Sequence, residues 1–210
     1  SGMNSALTPW MYSKIKKGDI RSMRKVLQLL SVVVVGIAVA LMLISPELVL
    51  IFGSPKYREA VYVIPPVAAS VFFIFIYNIL SMPQFYYEKT QFLMAASMAA
   101  AGANVVLNFI FIRLFGYIAA GYTTLACYML YSVGHYIVSK RILVNEGIQE
   151  NLMSPGFLVA CSAFLIGASI ICNLIFPYRI LRYAILLASA GLVFWKKELL
   201  LKTMADIRKK

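Results

Sequence analysis

The chain has 210 residues, 61% of them hydrophobic and 13% charged, with a formal net charge of +12 and a mean hydropathy of +0.81. Soluble domains carry roughly 25% charged residues, so too few charges are present to clothe a water-facing core, and the composition excludes an ordinary soluble globule. The positive charge alone would suit nucleic acid, but it sits in short clusters between apolar runs, as in a membrane protein, so nucleic acid is not expected as a partner.

The first segment, 1–24, reads as the end of a preceding helix running into a basic cytoplasmic loop. In "SALTPWMYSKIKKGD" Trp10 and Tyr12 are expected at the membrane interface, and the Gly18-Asp19 turn is expected to cap the next helix. No cleavable apolar region precedes the first span, and the chain is expected to begin inside a larger protein. The alternative is an interfacial N-terminal helix of a complete small protein.

Six spans follow, since a bilayer core of about 30 Å takes roughly 20 helical residues. They are Val26–Ile44, Val61–Leu80, Phe92–Ile112, Tyr117–Val138, Phe157–Phe176 and Ile180–Trp195. Helices satisfy their own backbone hydrogen bonds in hydrocarbon, and the strict alternation of a membrane β-strand is absent. The fold class is therefore all-α, a polytopic transmembrane bundle of about six spans. In the second span, "VIPPVAAS" places Pro65 and Pro66 in the first turns, where the second proline is expected to bend or loosen the helix. The sixth span is the shortest, and Arg182 near its start is expected to snorkel to the headgroups. Beyond it, 199–210 reads as a basic amphipathic cytoplasmic tail on anionic lipid.

The third span and its turn, "ANVVLNFIFIRLFGYIAAG", carry the main polar signal. Asn104 and Asn108 stand at i and i+4 and so share a helix face, which extends back through Ala100 and Ala96. Small residues let helices approach, and amides then bond across the contact at roughly 0.6–2 kcal/mol each. Joining neighbouring helices is the favoured role; edging a hydrated cavity that meets a polar substrate is the other. Arg113 lies near the outer interface, and Gly116 permits the reversal that makes the third and fourth spans a hairpin. Asn78, Asn173, Gln28 and His135 are further polar groups in or near spans, each expected to bond between helices. Asn104, Asn108, Arg113, Asn78 and His135 form the set of substrate-path candidates.

Counting the connecting segments alternately puts 15 of the 20 basic residues on the side of the first segment and 5 on the other. That bias places both ends of the chain in the cytoplasm. Tyr and Trp near span ends (Tyr62, Tyr86, Tyr87, Tyr117, Tyr136, Tyr178, Trp195) suit interfacial belts. Catalysis finds no foothold: His135 is the single histidine, the eight acids lie at span ends or in loops, and no phosphate-cradling glycine loop or zinc spacing occurs. Cys127, Cys161 and Cys172 are odd in number, lack ligand spacing and read as small packing residues. An enzyme is not expected, nor a cofactor or metal. Proton or sodium coupling normally uses intramembrane carboxylates, and none is visible in these spans.

"ALTPWMYSKIKKGD", "YVIPPVAASVFFIFIYNIL", "FYYEKT" and "NVVLNFIFIRLFGYIAAGYTTLACY" occur in an order and spacing that resembles the Wzx-type flippases of O-antigen and exopolysaccharide. These belong to the multidrug/oligosaccharidyl-lipid/polysaccharide (MOP, MATE-like) exporter superfamily. The likeness runs from about Ala6 to about Lys140 and weakens afterwards; where the family often has a proline after "FI", this chain has Arg113. The resemblance implies a fourteen-helix transporter of two lobes around an alternately opening cavity, of which this chain supplies the C-terminal portion. On that reading 25–140 is the four-helix part of the C-terminal lobe and 141–198 holds two further transmembrane helices. The implied cargo is a lipid-linked oligosaccharide of the undecaprenyl pyrophosphate type, and the implied partners are membrane lipids and the missing N-terminal lobe. The implied setting is the bacterial cytoplasmic membrane. A multidrug or lipid II exporter of the same superfamily, or a non-transporting membrane scaffold, are the alternatives.

Overall fold

In the computed structural model, residues 2–53 and 55–195 are described, with side chains from 7–53, 58–189 and 191. Every regular element among them is helical. Helix α1 (Gly2–Lys16) ends in a turn where Gly18 takes φ +67°, and Asp19 then caps α2 (Ile20–Phe52) by accepting from the Ser22 amide at 3.3 Å. The predicted cap is present, and Lys14 reinforces it with an ion pair to Asp19 and a 3.2 Å bond to the Ser22 hydroxyl. Trp10 departs from expectation: it is buried against α2 and α3 instead of marking an interface, because α1 lies on the bundle.

The 33 residues of α2 reach about 50 Å, well beyond a bilayer's hydrocarbon, so the helix overruns the predicted first span at both ends. A 3-10 turn (Pro55–Tyr62) leads into α3 (Ile64–Tyr86). Pro65 and Pro66 stand in the first turn of α3, where no backbone N–H is needed, so they start the helix and do not bend it. The prolines inside helices are Pro9, Pro46 and Pro83. Pro46 deprives the Met42 carbonyl of its usual donor, and the Ser45 hydroxyl replaces it at 2.8 Å.

α3 is the central element: 15 of its 23 residues are buried, and it packs against α1, α2, α5 and α6. α4 (Gln91–Phe115) is its opposite, with no buried residue; Gly116, at φ +77°, turns it into α5 (Ala119–Asn145). α6 (Pro155–Ile175) and α7 (Arg179–Trp195) complete the chain's described part. The contacts set an up-and-down order. Thr8 meets Met82 and Tyr12 meets Tyr86, so α1 runs parallel to α3, and α3 runs parallel to α5. The Lys89–Glu146 pair at 2.8 Å and the Arg24 bond to the Asn151 carbonyl at 2.7 Å tie one end, where the basic residues of α1 and α2 gather.

Among the described residues, four helical stretches are long and apolar enough to cross a membrane: α2, α4, α6 and the run Arg58–Tyr86 that contains α3. Their outer surfaces are apolar, with Ile37, Met98, Val105, Phe109, Val159, Phe164 and Leu174 exposed. A lipid solvent accounts for that surface, which water would not tolerate over such an area. α5 is too polar and α7, at 17 residues, too short to stand in that set. The tail 199–210 lies outside the described residues.

Candidate functional site

Polar groups of the bundle interior collect along α5, the helix that faces both α3 and α4. On the α4 side the half-buried residues Phe92, Ala96, Ala100, Asn104, Leu107 and Asn108 repeat at helical spacing and make one continuous face. Near its outer end the Asn108 amide donates to the Asn104 carbonyl oxygen at 3.0 Å, and the Thr123 hydroxyl of α5 donates to Asn108 Oδ1. The asparagines thus join α4 to α5, the favoured role of the two read from sequence. Midway, Ser97 and Tyr131 share a hydrogen bond of 2.7 Å. At the inner end Phe92 packs edge-on to His135, with ring centroids 5.4 Å apart.

His135 is fully buried, and its Nδ1 stands 2.7 Å from Gln84 Nε2 on α3. Tyr131 and Tyr77 close over the imidazole at 4.5 and 5.9 Å, and Tyr77 also stacks on Tyr128. Tyr128, Tyr131 and His135 follow i, i+3, i+7 on α5, while Tyr77 and Gln84 follow i, i+7 on α3, so each set shares a face. Gln84 Oε1 and His135 Nε2 are buried without a partner among the described residues. Such groups cost free energy in a low-dielectric interior, and they leave this layer with unmet hydrogen-bonding capacity. Among the described residues no ion pair reaches the imidazole, so the layer offers hydrogen bonding and aromatic stacking.

The other predicted candidates lie elsewhere. Arg113 is exposed in the last turn of α4, its guanidinium 3.8 Å from the Phe109 ring centre. The Asn78 amide donates to the Ile74 carbonyl of its own helix at 2.7 Å. Asn173 bonds between helices as expected, donating to the Tyr122 hydroxyl at 3.1 Å. Cys127 and Cys172 are buried free thiols within the packing.

A second polar cluster went unread in the sequence. Arg182 does not snorkel: it is buried, and it grips Glu47 with two bonds of 2.8 Å while donating to the Leu43 carbonyl at 2.7 Å. The Tyr183 hydroxyl also donates to Glu47, at 2.9 Å. Glu47 is placed within α2, because that helix continues past the predicted end of the span. Gln84 was missed for the same reason, since α3 runs on through Pro83 to Tyr86. The signal that could have found Gln84 is the i, i+7 spacing from Tyr77. Set against family models, curated proteins and solved structures, the chain matches none of the three.

Proposed function

We propose that this chain is the C-terminal part of a membrane transporter that flips lipid-linked oligosaccharide across the bacterial cytoplasmic membrane by alternating access. The observation that carries the reading is α4. It is a long apolar helix with no buried residue, packed along α5 by a polar seam. Its exposed side presents Ala95, Ala99 and Gly102 at i, i+4 and i+7. A stripe of small residues suits close approach by another helix, here that of an N-terminal lobe across a central cavity. The four segments in Wzx-like order and the up-and-down helices support the same reading. So does the charge asymmetry, which favours a cytoplasmic position for the basic end and for both ends of the chain. On this reading α5 and α7 also cross the membrane, giving six spans. The cargo is an undecaprenyl pyrophosphate glycan whose lipid tail stays in the bilayer, and the protein is not an enzyme.

The test is translocation by the full-length product of the intact gene in vesicles, with a fluorescent lipid-linked oligosaccharide and an impermeant quencher. Protein-dependent loss of protection is expected; a rate equal to protein-free vesicles sinks the proposal. The scaffold reading has one observation in its favour: the Asn104, Asn108 and Thr123 side chains bond to one another. It gains if translocation fails while the protein remains folded.

A further inference from the structure

At the end of the bundle away from the basic α1–α2 loop, a hollow of about 420 Å³ opens between the end of α2, the 3-10 turn and the start of α7. Its polar lining is Glu47, Arg58, Arg179 and Arg182, and its apolar lining includes Val61 and Phe176. Three guanidiniums therefore face one carboxylate. Glu47 is fully engaged by Arg182 and Tyr183. Arg58 and Arg179 are exposed into this region and form no ion pair among the described residues. Arg182, buried beneath them, still has an Nε with no partner. Glu59, the next acid in sequence, is held by the Tyr117 hydroxyl at 3.0 Å and does not line the hollow.

We propose that this hollow is a binding site for a phosphate group, with Arg58 and Arg179 as its ligands and the Arg182–Glu47 pair as its floor. A compact hollow with an excess of two positive charges and apolar walls strengthens any charge pairing inside it. Guanidinium forks match tetrahedral phosphate oxygens in pairs, which lysine cannot do. The site lies at the outer end of α2, level with lipid headgroups in the proposed topology, so its occupant is a phosphate-bearing lipid or a free phosphate anion. The assignment stands on the arginines and is independent of glycan flipping.

The experiment titrates the purified full-length protein in nonionic detergent with dioctanoyl phosphatidic acid and reads bound fractions by native mass spectrometry. Phosphatidic acid is expected to bind at least about tenfold tighter than dioctanoyl phosphatidylcholine. The double variant Arg58→Gln/Arg179→Gln is expected to lose about tenfold, consistent with hydrogen bonds to charged groups. Both arginines are exposed, so the variant is expected to unfold at the wild-type midpoint. A control, Lys16→Gln/Lys17→Gln, removes two exposed charges at the opposite end and is expected to bind as wild type. Inorganic pyrophosphate separates the sources: displacement of phosphatidic acid assigns the site to the phosphate alone, and no displacement assigns it to a headgroup presented with its acyl chains. Wild-type affinity in the arginine variant, or an equal loss in the lysine control, overturns the site.

Discussion

At Gly121 a missing side chain lets α5 come close against the start of α3. A Cβ there would stand 2.8 Å from Pro66 Cγ and 2.9 Å from the Val63 carbonyl oxygen, so α3 and α5 meet at a distance no larger residue allows. Gly121→Ala is expected to cost about 1–3 kcal/mol by overpacking, read as an earlier midpoint in a denaturing-detergent titration; an unchanged midpoint would show that the contact gives way freely. A second test concerns the α4–α5 seam. A double-mutant cycle on Asn108→Leu and Thr123→Val is expected to return a coupling of about 0.6–2 kcal/mol, while additive losses would mean the hydrogen bond contributes nothing. The two sites differ in how far the sequence reveals them. An amide in an apolar run demands a partner, so Asn108 announces itself. Thr123 does not, because hydroxyls in helices commonly bond their own backbone, and Thr123 also does so, to Ala120. Gly121, inside the expected fourth span, gives no such signal, since only the packing of two distant segments makes its small size necessary.

Hydropathy locates the helices well and their ends poorly. All six expected spans are helices, but α2, α3 and α5 run past the apolar stretches that mark them. The apolar pattern follows the depth of hydrocarbon, whereas a helix stops where its backbone finds a cap or a turn. Gly18 and Gly116 were legible for that reason, and the continuation through Pro46 and Pro83 was not. An interior proline normally argues for an end. At Pro46 the continuation is supported by side chains: Ser45 supplies the donor that Met42 lacks, and Arg182 reaches in from α7 to the Leu43 carbonyl. Ser45→Ala is therefore expected to cost about 1–3 kcal/mol by leaving a buried carbonyl unsatisfied. In a Pro46→Ala background the restored backbone N–H takes over, and the same serine substitution should cost little. Equal losses in both backgrounds, measured by thermal unfolding in detergent, would contradict this account. Glu47 and Arg182 belong to the same junction. Glu47→Leu alone strands a buried guanidinium and is expected to cost about 3 kcal/mol, whereas Glu47→Leu/Arg182→Met should recover most of it.

Burial is uneven across the whole molecule in a way that bears on function. α3 is enclosed by four helices, while α4 buries nothing and is held by α5. A free-standing bundle in lipid can keep such a helix at its rim, because hydrocarbon is as good a neighbour for its apolar face as protein. The exposed small residues of α4 are what separate a rim from a cavity wall. Lipid contact favours no stripe of Ala and Gly, whereas a wall that opens and closes against another lobe uses one. Single cysteines at Ala99 and Gly102, in full-length protein with Cys127, Cys161 and Cys172 replaced by alanine, distinguish the two. As a cavity wall, both positions meet water during the transport cycle and react with an impermeant maleimide, while cysteines at Val159 and Phe164 on α6 stay unlabelled. As a lipid-facing rim, all four stay unlabelled, because a thiol reacts as its thiolate and hydrocarbon suppresses that form. Labelling of α4 blocked by added lipid-linked oligosaccharide would tie the wet face to the cargo. Absence of labelling at both α4 positions in folded protein would remove the main support for the transporter reading and leave the seam of Asn104, Asn108 and Thr123 as structural joinery.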